Sequence, residues 1–187
     1  MLQDRVQQEE HRRQSGGSSR AVRTSIEATR ALLRAELAKT QRLVQQQIDR
    51  SAELKNPQRL LCSMPGVGRW TAARVLAASE AVCGVVDARQ WAAYAGLPPC
   101  EGTSGSSVHH PPRRAKTGNS RLRRALSFPA MVAMRPHRAV RALAERLRAR
   151  GKRPMVIVGA AMRKLLHLIY GVLKSGKPFD PAVAMAA

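Results

Sequence analysis

The chain has 187 residues, of which 44% are apolar, enough to build one compact domain with an extension and too many for a disordered basic tail. Thirty-three Lys and Arg against 12 Asp and Glu give a formal charge of +21, which excludes a basic partner and points to a polyanion or an anionic surface. Residues Met1–Gln14 are polar, and the apolar stretch Met155–Leu173 is broken by Arg163, Lys164 and His167, so neither a secretion signal nor a membrane span is expected and the chain is assigned to the cytoplasm.

In chain order, residues 1–20 read as a flexible N-terminal segment ending in Ser15-Gly16-Gly17-Ser18-Ser19. Apolar residues then recur every eleven positions: Ala21, Leu32 and Leu43; Val22, Leu33 and Val44; Ile26, Leu37 and Ile48. Eleven residues make three turns at about 3.67 per turn, so the stripe runs almost straight along one helix. Residues 21–52 are expected to form a coiled-coil arm that needs a partner helix, because isolated amphipathic helices are marginal in water. Asn56-Pro57 is expected to break that arm. The run Leu60 to Leu76 reads as helix, tight glycine turn, helix: Pro65 fixes one backbone angle, and Gly66 and Gly68 tolerate positive φ and close approach of a ligand. The second helix begins with free N–H groups and a positive dipole end. Such a helix-hairpin-helix suits phosphate, with Pro65, Gly66, Val67, Gly68, Arg69 and Thr71 as its contact residues; an ordinary glycine-capped helix corner is the other reading.

Asp87 is placed as N-cap of a short helix over Ala88–Tyr94, closed by Gly96. Residues 97–119 are rich in Pro, Gly, Ser and Thr and are expected to form an irregular loop. Three helices follow: Ser120–Met134, kinked at Pro129; Pro136–Arg150, stopped by Gly151; and Pro154–Lys174, stopped by Gly176. The main domain spans 54–182, with a tail over 183–187. The fold class is therefore mainly α: a long coiled-coil helix, then a helical domain with a helix-hairpin-helix and an irregular Ser/Gly/Pro-rich loop.

Fourteen Lys and Arg but only Glu145 among acids lie between Pro111 and Arg153, a net charge of +13. A merely solvated face would mix signs. Arg113, Arg114, Lys116, Arg121, Arg123 and Arg124 are the bases nearest the loop and are read as backbone contacts. Only two each of Trp, Tyr and Phe occur, so base stacking is poorly supplied. Cys62, Cys83 and Cys100 lack zinc-ligand spacing and are expected to be reduced, partly buried thiols. Glu80, Asp87 and Glu101 are the only acids between residues 54 and 144, too few and too well explained as helix-end residues to hold a pair of metal ions, so no metal site is assigned. Ser104, in Gly102-Thr103-Ser104-Gly105-Ser106-Ser107, could act as a nucleophile ahead of the basic cluster, with His109 and His110 nearby as proton acceptors; composition alone does not separate it from an ordinary loop serine.

Four blocks in this order carry a resemblance: Met64-Pro65-Gly66-Val67-Gly68 to Leu76; Asp87-Ala88-Arg89-Gln90-Trp91-Ala92-Ala93-Tyr94-Ala95-Gly96-Leu97-Pro98-Pro99; Ser104-Gly105; and Lys116-Thr117-Gly118-Asn119-Ser120-Arg121-Leu122-Arg123-Arg124-Ala125-Leu126. Over residues 54–182 the chain strongly resembles the C-terminal domain of bacterial insertion-sequence transposases of the IS-one-ten family, and the arm resembles that family's connector. The resemblance implies DNA strand cleavage and transfer with Ser104 as nucleophile, Gly105, Gly118 and Asn119 joining the nucleic-acid contacts, and Ser106 or Ser107 replacing Ser104 if the alignment slips. It also implies a guide RNA as a second partner and a RuvC-like half that binds magnesium. That half is not found in this chain, so no cofactor is assigned to these residues. Self-association, or association with a full-length transposase, is expected through the arm, in a bacterial cytoplasm and at the nucleoid. The alternative is a non-catalytic nucleic-acid-binding module or a degenerate remnant.

Overall fold

The computed structural model describes residues 2–14, 19–79, 87–104, 108–114 and 117–182, with backbone alone for 99–104 and 108–114. The described residues form eight helices and one two-stranded sheet, so the fold is mainly α: α1 (Leu2–Gln14), α2 (Arg20–Arg50), α3 (Ala52–Cys62), α4 (Arg69–Ser79), α5 (Ala88–Tyr94), β1 (Pro99–Ser104), β2 (Val108–Arg114), α6 (Ser120–Ala133), α7 (Arg138–Ala149) and α8 (Pro154–Ser175). Two compact units result, Met1–Lys55 and Asn56–Ala187.

In the first unit, the expectation of a flexible segment over 1–20 gives way to helix α1, which packs on α2. Two arginines one turn apart on α2, Arg30 and Arg34, both bond the Glu10 carboxylate of α1, at 2.8 and 3.1 Å. Val22, Leu32, Leu43 and Val44 of the eleven-residue stripe remain exposed. The arm ends earlier than Asn56-Pro57: Ser51 alone is extended (φ −106°, ψ 117°), and its carbonyl accepts the Leu54 and Lys55 amides to start α3. Pro57 then sits inside α3, where it removes one helical hydrogen bond without ending the helix.

The second unit is built around α8, whose buried residues Ile157, Gly159, Ala161, Met162, Leu165, Leu166, Ile169 and Val172 meet α5, α6 and α7. α8 is long and apolar enough to cross a membrane, with mean hydropathy 1.6 over its most apolar stretch, yet this apolar stripe is consumed by packing. Trp91 of α5 is buried and meets the Tyr170 ring of α8 edge-on, at 6.3 Å between centroids. α6 packs on α4 as well as α8 and runs unbroken through Pro129, which is buried inside it where a kink was expected. The glycine stops act as the sequence suggests: Gly96, Gly151 and Gly176 all have φ near +65° (64°, 67° and 63°).

The segment expected to be an irregular loop carries an antiparallel hairpin in which Pro99 pairs with Arg114, Cys100 with Arg113, Gly102 with His110, Thr103 with His109 and Ser104 with Val108. The register shifts between Cys100 and Gly102, where Pro111 and Pro112 of β2 lie opposite the single residue Glu101 of β1, a bulge on the second strand. Pro and Gly made this stretch look strandless; as an isolated two-stranded ribbon it tolerates both at its edges.

Candidate nucleic-acid interface

α3 and α4 are joined by the turn Ser63–Gly68. Gly66 has φ +92°, and a Cβ there would stand 3.0 Å from the Ala133 Cβ and 3.1 Å from its backbone, so this glycine is required by close packing of the turn on α6. Val67 is buried, and its amide donates to the Met64 carbonyl at 3.1 Å, which removes it from the phosphate donors expected of the turn. Gly68 differs from expectation too: its φ is not positive, and a Cβ would meet nothing within 4 Å. Its carbonyl accepts the Ala72 amide at 2.9 Å, making Gly68 the N-cap of α4. Arg69, Trp70 and Thr71 thus form the first turn, whose amides have no partner within the helix. Gly68, Arg69 and Trp70 are exposed, Pro65 and Thr71 half-buried, and Gln58 of α3 holds the corner by donating to the Arg69 carbonyl at 3.4 Å. The free amides and positive dipole end that the sequence led one to expect at the glycine turn therefore belong to the start of α4, one step later.

The second cluster lies where the hairpin joins the helices. Asn119 caps α6, its Oδ1 accepting the Arg121 and Leu122 amides at 2.9 and 3.1 Å, while its Nδ2 donates to the Tyr94 hydroxyl at 2.8 Å and its amide to the Tyr94 carbonyl at 2.7 Å. Gly118 has φ +94°, and a Cβ there would stand 2.5 Å from the Tyr94 carbonyl oxygen. One guanidinium nitrogen of Arg123 donates to the carbonyls of Ala95 and Thr117, both at 2.9 Å. Residues 94–96 and 117–119, the two ends of the hairpin insert, are thus fastened side by side. Gly118, Asn119 and Arg123, read from sequence as nucleic-acid contacts, have a fastening task that sequence reasoning missed, because only the folded contact with Tyr94–Gly96 reveals it.

Ser104 ends β1 at the tip of the ladder, opposite Val108, whereas Arg113 and Arg114 pair near its base. Four residues of strand separate Ser104 from Cys100, the partner of Arg113, a distance of about 13 Å. The ladder therefore does not bring these two arginines beside the serine along the same strand pair. Gly105, Ser106, Ser107 and Lys116 lie outside the described residues. Arg121 and Arg124 are exposed on α6, one turn beyond the clamp.

Neither the acids nor the thiols gather into a metal site among the described residues. Asp87 accepts the Arg89 amide at 3.3 Å as the cap of α5. The magnesium implied by the resemblance thus has no donor set among these side chains. Cys62, expected partly buried, is exposed; the desolvation of its sulfur outweighs the Arg69 charge and raises its thiol pKa, which favours the protonated thiol. Cys83 lies outside the described residues, and of Cys100 only the backbone is described.

His137 caps α7 by position, is 2% exposed, and has neither ring nitrogen hydrogen-bonded. Its ring meets Phe179 at 4.7 Å, and the Phe179 amide donates to the Ser63 hydroxyl at 2.8 Å, so the segment after α8 packs back onto the α3–α4 turn. Burial, reinforced by the Lys164 charge, lowers the His137 pKa, against a smaller opposing contribution from a hydrogen bond at its own backbone.

Comparison with known proteins matches residues 58–145 to the Transposase IS116/IS110/IS902 family. The chain is 34% identical over 139 residues to a pilin gene-inverting protein of Moraxella bovis, covering 74% of this chain and 43% of that protein. It is 34% identical over 141 residues to the insertion element IS110 uncharacterized 43.6 kDa protein of Streptomyces coelicolor, 74% of this chain and 34% of that protein. The insertion element IS900 uncharacterized 42 kDa protein of Mycobacterium paratuberculosis is 31% identical over 129 residues, 68% of this chain and 32% of its own length. The chain spans less than half the length of these curated relatives. Its helical domain, from the α3–α4 turn through the clamp at Asn119 to α7, belongs to the IS110-type transposase family as that family's C-terminal region.

Proposed function

We propose that this chain is the DNA-binding, serine-bearing part of a transposase or recombinase, acting in DNA transposition together with a RuvC-like half. The observation that carries the reading is the fastened base of the hairpin: Asn119, Gly118 and Arg123 close the insert on Tyr94–Gly96, and the two-stranded ribbon between them ends its first strand at Ser104, opposite Val108. A nucleophile on such a finger can reach a phosphate held by the domain. The exposed start of α4, with Gly68 open to close approach and Arg69 beside it, would hold one backbone segment, and Arg121 and Arg124 would hold another.

In this reading the Ser104 hydroxyl loses its proton to a base and its oxygen attacks phosphorus. The bond from phosphorus to the leaving deoxyribose oxygen breaks, that oxygen takes up a proton, and a phosphoserine ester remains. Attack by the hydroxyl of another strand reverses the step and frees the serine. Phosphate contacts fix register without reading sequence, so target choice falls to a guide RNA, as the resemblance implies. The exposed Val22, Leu32, Leu43 and Val44 of α2 support pairing of the arm with a second transposase copy, in a bacterial cytoplasm near the nucleoid.

Salt titration tests the DNA-binding part. With about six phosphates neutralised, log affinity for duplex DNA falls against log salt with a slope of about −5. A flat response would overturn the reading.

A further inference from the structure

α6 buries Leu122, Ala125, Leu126, Pro129, Ala130 and Ala133. Its opposite face exposes Phe128 by 69%, Met131 by 44% and Val132 by 39%. A helix of a globular domain normally turns polar residues outward, so three large apolar side chains meeting on one outer turn mark a contact surface. The same face carries exposed arginines: Arg124 one turn before Phe128, Arg121 two turns before it, and Arg135 just beyond the cap of the helix. None of the three is in an ion pair among the described residues, and α6 contains no acid. The stripe is apolar in the middle and cationic at both ends.

We propose that this face of α6 receives an unstacked DNA base, with Phe128 as the stacking platform, Met131 and Val132 as its apolar walls, and Arg121, Arg124 and Arg135 on the flanking phosphates. This rests on the DNA-binding reading above and extends it from backbone to base. A second copy of the chain would bring arginine ends against arginine ends, which disfavours self-association through this face. A single DNA strand supplies what the stripe lacks, an apolar base edged on both sides by negative charge. The position fits: Phe128 stands about 13 Å along the helix axis from Asn119, the residue that fastens the serine-bearing finger. A base drawn out of the stack there would open the adjoining backbone to the finger.

The test compares the full chain on two short DNA duplexes, one fully paired and one with a single unpaired base, and on the RNA duplex with the same bulge. Wild-type protein binds the bulged DNA more tightly than the paired DNA. Phe128→Ala weakens bulged-DNA binding by between about 5- and 150-fold, leaves paired-DNA binding unchanged, and is rescued by Phe128→Trp. Replacing Arg121, Arg124 and Arg135 together by Gln lowers the salt slope by about 3 on both DNAs. Unchanged bulge preference in Phe128→Ala, with salt-dependent DNA binding intact, overturns this proposal alone. So does a preference for bulged RNA only, or a Phe128→Ala variant that loses self-association in sedimentation while binding DNA normally. Absence of salt-dependent binding to every duplex overturns the underlying DNA-binding reading along with it.

Discussion

Asn119 holds Tyr94 twice, through its amide to the Tyr94 carbonyl at 2.7 Å and through its side chain to the Tyr94 hydroxyl at 2.8 Å, while its Oδ1 caps α6. One residue thereby starts a helix and joins the two ends of a finger twenty-odd residues long. Asn119→Ala removes the cap and the side-chain bond together and should destabilise the domain by about 1–3 kcal/mol. Tyr94→Phe removes only the hydroxyl partner and should cost about 0.5–1.5 kcal/mol. Urea unfolding of the two variants separates cap from clamp; equal losses would show that the cap contributes nothing.

Two glycines in one turn should respond differently to the same methyl group. Gly66→Ala strains a backbone at φ +92° and presses on Ala133, so a loss of about 1–3 kcal/mol is expected in thermal unfolding. Gly68→Ala meets nothing, so its cost is limited to the poorer N-cap, about 0.5–1 kcal/mol, and the variant should still fold. If a phosphate sits at the start of α4, Gly68→Ala weakens DNA binding instead, as the methyl blocks close approach. DNA titration of a fully folded Gly68→Ala variant checks this.

The legible part of this chain was its punctuation. Asp87, Gly96, Gly151 and Gly176 marked helix ends because cap chemistry is local, and each sits where that chemistry demands. Pro57 and Pro129 misled, since packing around α3 and α6 holds each helix through its proline. The base of the finger was illegible for another reason: Gly118, Asn119 and Arg123 read as nucleic-acid contacts, and only tertiary contact with the end of α5 reveals that they are fasteners. Val67 likewise read as a donor until its amide found Met64. Phe128 was counted among scarce aromatics, yet sequence cannot show that it faces outward.

Acid should loosen the second unit before it affects the carboxylates. His137 and His167 both have pKa values lowered from 6.5, chiefly by burial, with Arg163 and Lys164 adding to the shift at His167 and Asp87 partly opposing it. Their native pKa values lie below the unfolded ones, so the unfolded chain takes up protons first as pH falls. The stability is fully present above about pH 6.5 and is lost as pH drops from there toward the native values. Urea midpoints measured between pH 8 and 5 should fall on the acid side, as expected for such histidines, and His137→Leu should flatten part of that fall. A midpoint that rises on acidification would contradict the assignment.

Leu165 of α8 is fully buried at the centre of the unit. Leu165→Ala should cost about 2–5 kcal/mol, read as a lowered urea midpoint at unchanged helical signal per folded molecule. A loss below about 1 kcal/mol would mean that α8 is not the organising helix.

The most direct test of the account is covalent trapping. The chain, a RuvC-like partner half of demonstrated activity, guide RNA, magnesium and end-labelled element DNA are mixed and resolved on a denaturing gel. A labelled protein band that disappears in Ser104→Ala and persists in Ser106→Ala and Ser107→Ala is the predicted result. The absence of any Ser104-dependent band, with salt-sensitive DNA binding intact, would contradict the nucleophile assignment and leave the chain a nucleic-acid-binding module.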